Sequence, residues 1–419
     1  FSNYGVILKG LGKLEAAETF VRKAIELNPN FAEAHSNLGT ILIDLGKLKE
    51  AEEALRKAID LNPNFANAYS NLGGILKDLG NLKEAEVSTR QAIKLNPDLA
   101  NAHANLGGIL KDLGNLKEAE VSTRKAIKLN PHSAEAHSNL GGILKNLGNL
   151  KEAEISTRKA IKLNPDYAEA YSNLAHIFSD IGNFRKAVKS CLQAIRINPH
   201  LSKAYYYLSI LNYSDFSDIK WQDKLFSESI LNNKSNTEII DIYFARANLL
   251  HVEKRYQESA NYLKLANDLK LNLQPSNSDL LIKKTKLLLA ESNKKKINKK
   301  EYTNDSETIF IVGMFRSGST LLESILSMNN DIYALDEINF LEESFVEWKR
   351  SDQGLGLNEL YWDKVYKKTQ LNIVTNKWLY NYQYAGIIVN NIINAKIIHC
   401  YRNPLDNILS IYRAHFAKG

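Results

Sequence analysis

Cysteine is scarce in this 419-residue sequence: Cys191 and Cys400 are the two it has, and they stand far apart. That excludes a disulfide framework and the paired spacing of a structural zinc site, and no other metal-ligand spacing is present. It points to a reducing, cytoplasmic setting. No apolar run approaches the roughly 18 residues of a membrane-spanning helix, and no secretory pattern opens the sequence. A basic folded face is missing as well. The net charge is +7, but residues 309–419 hold 11 Lys+Arg against 11 Asp+Glu, whereas residues 270–308 hold 9 against 5. The surplus sits on a linker-like stretch, at Lys283, Lys284, Lys286 and the run Lys294-Lys295-Lys296-Ile-Asn-Lys299-Lys300. A nucleic-acid-binding domain carries its cations on a folded face, so that class is disfavoured. An apolar fraction of 44% and a charged fraction of 24% are those of an ordinary globular protein. The length is enough for two or three domains of roughly 150 residues each.

Proline is also sparse, and six of the eight prolines stand in periodic Asn-Pro pairs at 28–29, 62–63, 96–97, 130–131, 164–165 and 198–199, a seventh following Asn403 outside the period. The spacing is 34 residues without a slip. Each unit reads as two helices. Ala68-Tyr-Ser-Asn-Leu72-Gly-Gly-Ile-Leu76-Lys-Asp-Leu79 gives a first helix and Gly80-Asn81 breaks it. Leu82-Lys-Glu-Ala85 through Ala92-Ile-Lys-Leu95 gives a second, and Asn96-Pro97 ends it, because proline disfavours helical geometry in the residue before it. Gly73, Ala85 and Ala92 are small where two helices must approach, and Leu72, Leu76, Leu82 and Leu95 fill the space between them. This period and pattern resemble tetratricopeptide repeats, which stack into a superhelix because one unit cannot bury its apolar face alone. The units are 32–65, 66–99, 100–133, 134–167 and 168–201, after a partial unit at 1–31.

Asparagine recurs at the same register: Asn37, Asn71, Asn105, Asn139 and Asn173, with Asn3 before them. An amide offers a donor and an acceptor, so a ladder of amides can pair with a peptide backbone of any sequence. In tetratricopeptide arrays the first helices line the concave face. A similar ladder in the array of O-linked N-acetylglucosamine transferase is associated with peptide binding, so the resemblance implies a peptide groove here. The bland reading is that these amides are solvated or were copied with the repeat. After Pro199 the pattern decays. Leu201–Leu211 reads as a cap and 243–269 as a divergent unit.

Residues 309–419 alternate strand and helix. Strands are expected at 309–312, 373–375 and 396–399, and helices at 319–328, 380–391 and 404–416. That order argues a parallel sheet with flanking helices, whose ligands bind beyond the carboxyl ends of the strands. After the first strand comes Gly313-Met-Phe-Arg316-Ser317-Gly318-Ser319-Thr320. The glycine spacing is that of a nucleotide-binding P-loop, but Ser319 stands where the lysine belongs and Arg316 lies inside the loop. A nucleotide kinase or hydrolase is therefore disfavoured. An arginine fork among small residues suits a tetrahedral oxyanion instead.

Met314-Phe-Arg-Ser-Gly-Ser-Thr-Leu-Leu resembles the 5′-phosphosulfate loop of the sulfotransferases, in the branch of tyrosylprotein sulfotransferase and the bacterial repeat-fused enzymes. Lys396-Ile-Ile-His-Cys-Tyr-Arg402, followed by Ser410, resembles the family's 3′-phosphate motif. The resemblance implies that Arg316, Ser317, Gly318, Ser319 and Thr320 hold the phosphosulfate, and that Arg402 and Ser410 clamp the 3′-phosphate. It also implies that Glu337 is the general base and that Lys377, with Arg316, is a catalytic cation. The donor implied is 3′-phosphoadenosine 5′-phosphosulfate, with no metal, and the acceptor is a hydroxyl such as a peptide tyrosine.

Phe315, Asp336 and Leu379 depart from the family's usual proline, glycine and proline, and none removes a chemical group. The sequence stops soon after the 3′-phosphate helix and starts without methionine, so it reads as a fragment. The expected architecture is thus two-part: an all-α tetratricopeptide superhelix followed by an α/β P-loop-like sulfotransferase domain truncated at its C-terminus. Repeats occupy 1–201, capping and divergent helices plus a basic linker 202–300, and the sulfotransferase part 301–419. The expected function is sulfuryl transfer, with the repeat groove binding the acceptor protein or a partner. The alternative is a protein-binding scaffold whose catalytic domain is incomplete or inactive.

Overall fold

The computed structural model describes residues 1–211, 220–232, 234–273, 275–293, 306–350 and 355–414. The lysine-rich run 294–300 and the expected helix end at 415–416 lie outside them. The chain divides into two compact units, Phe1–Ser259 and Ala260–Gly419, the boundary falling inside the helix Tyr256–Leu273.

The first unit is built of helix pairs at the 34-residue period. First helices run Ala32–Asp44, Ala66–Asp78, Ala100–Asp112, Ala134–Asn146 and Ala168–Asp180. Second helices run Leu48–Leu61, Leu82–Leu95, Leu116–Leu129, Leu150–Leu163 and Phe184–Ile197. Ser2–Gly10 and Leu14–Leu27 form the pair before them. Each second helix ends on an asparagine with non-helical backbone, such as Asn96 at φ −140°, as the following proline requires. Ala85, Ala92, Leu72 and Leu76 are buried as expected, whereas Leu82 and Leu95 are half-buried, because each lies at a helix end.

Successive first helices pack on one another, while successive second helices are joined by long side chains. Arg22, Arg56, Arg90 and Arg124 reach Glu50, Glu84, Glu118 and Glu152 of the next repeat at 2.9, 2.6, 2.6 and 2.5 Å. Each arginine also holds the glutamate four residues earlier on its own helix. Exposed pairs of this kind are worth roughly 0–1 kcal/mol each, so the ladder sets register more than stability. It ends at Arg158, where the residue one step on is Lys186; both cations instead approach the Phe178 ring, at 5.4 and 5.3 Å.

The array closes on Ser202–Ile210 and Asn236–Val252, with a capping box at Ser235 and Glu238. Next to this closing pair, His176 stacks on Tyr207 at 3.8 Å, and its Nδ1 lies 3.4 Å from Lys145 Nζ. Burial first, then Lys145 and Lys203, push its imidazole down to about 4. An unfolded histidine takes up its proton near 6.5, so between about pH 6.5 and 4 the unfolded chain binds the extra proton. Stability of the repeat unit is therefore expected to fall as pH drops through that window, by about 3 kcal/mol at most. Urea unfolding of wild type and His176→Gln at pH 7 and 4.5 checks this. A pH dependence identical in both would remove the assignment.

The second unit holds a four-stranded, wholly parallel sheet: β1 Glu307–Gly313, β2 Ile332–Ala334, β3 Ile373–Asn376 and β4 Ala395–Cys400, in the order β2-β3-β1-β4. Register is set by Glu307 opposite Ile373 on one side of β1 and Thr308 opposite Ala395 on the other. Three strands and their parallel order match expectation. β2 and the helices Phe340–Arg350 and Leu357–Tyr366 are additions. The expected helix 380–391 is a 3₁₀ turn, Leu379–Tyr384, running into a helix, Ala385–Asn391. The core over one face joins Phe310 and Val374 to Leu341, Leu357, Tyr361 and Ile388. The central position of β1 explains its unbroken apolar run, since both faces are covered.

Candidate active site

β1 delivers the chain to Gly313, whose φ is +153°. A Cβ there would stand 2.5 Å from the Cys400 carbonyl oxygen of β4 and 3.0 Å from Ser317 Oγ. The glycine thus lets the neighbouring strand and the loop serine close over the same point. The loop then turns through Arg316, at φ +67°, and Gly318, at φ +95°, which is the N-cap of the helix Ser319–Leu326. An arginine held in the left-handed region costs on the order of 1–2 kcal/mol, a strain typical of loops shaped to hold a ligand. No side chain caps this helix, so the N–H groups of its first turn are left pointing outward. Ser317 Oγ is buried without a protein partner. Free N–H groups, a buried spare hydroxyl and a helix N-terminus together form a cradle suited to an anion.

The sequence-predicted residues converge here in two groups. In the first, Arg316 Nε donates to Ser410 Oγ at 3.2 Å, and Arg402 Nη1 donates to the Arg316 carbonyl oxygen at 3.3 Å. Ser410 is carried by the helix Pro404–Tyr412, started by Asn403, whose side chain accepts from the Leu405 and Asp406 N–H groups. Among the described residues neither guanidinium is paired with a carboxylate. On the same helix Asn407 is buried, and its Oδ1 lacks a partner.

The second group surrounds Lys377, which is buried at the end of β3. Its Nζ lies 3.1 Å from Thr320 Oγ1, 2.9 Å from Asp336 Oδ1, 3.3 Å from Glu337 Oε1 and 3.7 Å from Glu323 Oε2. Burial alone would lower its pKa, but the bonds and charge of Asp336 and Glu337 outweigh that and hold it above the ordinary lysine range. Backbone bonds fix the group: Leu335 N–H donates to Thr375 O at 3.0 Å and Lys377 N–H to Asp336 O at 3.1 Å. Asn376, buried beside it, accepts from the Trp378 N–H and the Asn381 amide, locking the turn that aims the lysine.

Glu323 is the residue that sequence reasoning missed. It is buried, accepts from Thr375 Oγ1 at 2.7 Å and sits beside Lys377. Burial pushes its carboxyl up, against the Thr375 bond and the Lys377 charge. The signal was its place three residues after Thr320, on the same face of the loop helix. In the repeats, Asn37, Asn71, Asn105, Asn139 and Asn173 are half-buried, whereas Asn3 is exposed. Asn37, Asn105 and Asn173 each donate to the serine 35 residues earlier, at Ser2 Oγ, the Ser70 carbonyl oxygen and Ser138 Oγ. Among the described residues no such bond joins Asn71 or Asn139, and at Asn139 the partner position is Ala104, which has no hydroxyl. Part of the ladder's donor capacity therefore ties repeat to repeat.

The segment that follows each strand supplies one residue to these two groups: Arg316 after β1 and Arg402 after β4 to the first, Glu337 after β2 and Lys377 after β3 to the second. A parallel sheet with a helix N-terminus after its first strand and cations after two more is an α/β domain of the kind whose ligands bind beyond the carboxyl ends of the strands. Comparison with known proteins narrows this. Models of the tetratricopeptide repeat match residues 1–31, 20–53, 66–99, 100–133, 134–167 and 168–201, and a TPR repeat model matches 39–80. A model of the sulfotransferase family matches residues 308–359. The chain therefore joins tetratricopeptide repeats to a domain of the sulfotransferase family.

A curated relative, an uncharacterized protein of Aquifex aeolicus (strain VF5), is 32% identical over 130 residues, covering 26% of this chain and 17% of that protein. This chain thus spans about a sixth of that relative's length. Similar solved structures include YrrB, described as a TPR protein with an unusual peptide-binding site (28% identity, 44% of this chain and 95% of that one, TM-score 0.34). PilF of Pseudomonas aeruginosa is another (21% identity, 48% and 92%, TM-score 0.41). Among the described residues no helix is long and apolar enough to cross a membrane.

Proposed function

We propose that the C-terminal unit transfers a sulfuryl group from 3′-phosphoadenosine 5′-phosphosulfate to an acceptor hydroxyl, and that the repeats bind the acceptor protein. The observation that carries this reading is that one loop, 313–320, contributes to both groups beyond the strand ends: Arg316 to the pair with Arg402, and Thr320 to the pair of Lys377 and Glu337. The donor supplies the activated sulfuryl group and, with its 3′-phosphate, a second anion for the site to recognise. The loop fits the first anion through its N–H groups, the orphaned Ser317 hydroxyl and the Arg316 fork. Ser319 and Thr320 add hydroxyls at the helix start.

Arg402 and Ser410 are placed to hold the 3′-phosphate, and the hydrogen bond between Arg316 and Ser410 couples the two anion subsites. Lys377 neutralises charge developing where the transferred group leaves, and Glu337 takes the acceptor's proton. Their 3.3 Å contact sets the proposed base directly beside the cation. No metal belongs to this reading. In the repeat unit, the amides of Asn37, Asn71, Asn105, Asn139 and Asn173 would meet a peptide backbone, and a peptide tyrosine is the acceptor this arrangement favours.

Calorimetry with 3′-phosphoadenosine 5′-phosphate and with ATP tests the donor assignment. Wild type is expected to prefer the former by at least about tenfold, since a desolvated phosphate–arginine pair is worth roughly 1.5–3 kcal/mol. Arg402→Ala is expected to erase that preference while ATP binding changes little. If wild type shows no preference, the sulfotransferase reading fails; if Arg402→Ala keeps the preference, the 3′-phosphate assignment fails.

A further inference from the structure

The repeats are near copies, so the places where copies differ carry information. Between neighbouring repeats lie grooves at equivalent positions. One, of about 390 Å³, is bordered by Arg22, Glu26, Glu50, Glu53 and Lys57. Its counterpart three periods on, of about 430 Å³, is bordered by Arg124, Lys128, Glu152, Ile155 and Lys159 over a floor of Ile127 and Leu140. Glu26 and Glu53 have become Lys128 and Ile155, so a net acidic groove has become a basic one with a larger apolar surface.

The change is not confined to one groove. At the register of Ile155 the two preceding repeats carry Val87 and Val121, and all three side chains are 69% exposed. A branched apolar residue on an exposed helix face buries nothing and is a poorer helix former than the lysine or glutamate around it. One such residue needs no explanation, but three at the same register on successive second helices, the last of them at the edge of an apolar-floored groove, form a repeated row. The charge around them shifts in the same direction. Helix Leu14–Leu27 carries Glu15, Glu18 and Glu26 against Arg22 and Lys23, whereas Leu116–Leu129 and Leu150–Leu163 each carry four basic residues against two acids. The exposed row and the groove's charged rim are on second helices, while Leu140 of the groove floor is on a first helix, as is the asparagine ladder.

We propose that the second-helix face of repeats 66–167 is a docking surface for an acidic protein segment whose branched apolar side chains seat over Val87, Val121 and Ile155. Charge complementarity selects the acidic partner, and the exposed aliphatic row and the Ile127–Leu140 floor select its apolar anchors. The proposal stands independently of sulfuryl transfer, because it uses no residue of the C-terminal unit.

Fluorescence anisotropy on the full chain tests it, with a labelled synthetic amphipathic peptide of alternating Glu-Glu and Leu-Leu pairs as probe. The comparison peptides replace Glu with Lys, or Leu with Ser. The Glu/Leu peptide is expected to bind best. Val121→Glu with Ile155→Glu, and separately Lys128→Glu, restore acids of the kind found in the first groove and should each weaken binding about tenfold or more. Lys367→Ala, which removes an exposed cation of the C-terminal unit, should leave it unchanged. Circular dichroism confirms folding, which these exposed positions do not threaten. The proposal is overturned if the double variant binds within about twofold of wild type, a difference below 0.5 kcal/mol. It is also overturned if the Leu-to-Ser peptide binds equally well, which would mean charge alone. Vesicles of phosphatidylserine bound through Val121 and Ile155 in place of the peptide would make the surface a membrane contact and overturn it too.

Discussion

Lys377→Met is expected to lower sulfuryl transfer by about 10²–10³-fold while leaving binding of 3′-phosphoadenosine 5′-phosphate nearly intact. In the proposed mechanism the lysine faces the transferring group, whereas Arg316, Arg402 and Ser410 hold the anions that persist in the product. The same substitution also disturbs the fold, because Glu323 is buried and would lose its cation. Its carboxyl, already pushed up by burial, would lose the charge that offsets that burial, and the loss is expected to be about 2–3 kcal/mol. Adding Glu323→Gln separates the two effects. Glutamine keeps an acceptor for Thr375 Oγ1 but carries no charge, so Lys377→Met with Glu323→Gln should regain most of the stability and none of the transfer. Transfer of labelled sulfuryl to an acceptor, nucleotide calorimetry and urea unfolding on the four members of the cycle give the three readouts. Transfer in Lys377→Met within a few-fold of wild type would remove the lysine from the transferring group.

The cycle also marks where sequence reasoning reached and where it stopped. The loop after β1 and the Arg402–Ser410 motif were legible because each is one contiguous stretch whose spacing is set by a strand end and one or two helical turns. The helix Leu357–Tyr366 was legible in principle, through Leu357, Leu360, Tyr361 and Val365 at helical spacing, but it lies in the stretch between motifs and passed unread. β2 is only Ile332–Ala334, too short for any alternation to show, and its pairing with β3 is what carries Asp336 and Glu337 to Lys377. Glu323 was invisible for a different reason. A glutamate on an amphipathic helix reads as solvated, and only the fold places Thr375 and Lys377 against it. In the repeats the period fixed every helix, but the hydrogen bonds from Asn37, Asn105 and Asn173 back to the preceding repeat depend on superhelical packing that no single unit encodes.

Adjacent glycines in the repeats are expected to respond to alanine with opposite signs. A Cβ at Gly107 would stand 2.0 Å from Thr123 Oγ1 and 3.2 Å from the Ala119 carbonyl oxygen. Thr123 is fully buried and donates to that carbonyl at 2.8 Å, so it cannot swing aside without stranding its hydroxyl. The first and second helices must then separate, and Gly107→Ala is expected to cost about 2–3 kcal/mol after the gain in helix propensity is subtracted. At Gly108 the nearest atom is the flexible end of Lys77, at 3.5 Å, so the same change should gain up to about 1 kcal/mol. The contrast should recur one period away on either side. Gly73 and Gly141 meet Thr89 and Thr157 at the same 2.0 Å, while Gly74 and Gly142 face a distant amide and open space. In the repeat before these, Gly39 meets Leu55 instead, at 2.7 Å, so the close approach of the helix pair, more than the threonine itself, demands a glycine at this register. Urea unfolding of Gly107→Ala and Gly108→Ala measures both signs in one experiment. If Gly107→Ala proves as stable as wild type, the helix pair is looser than these distances imply, and the packing account of the repeat fails with it.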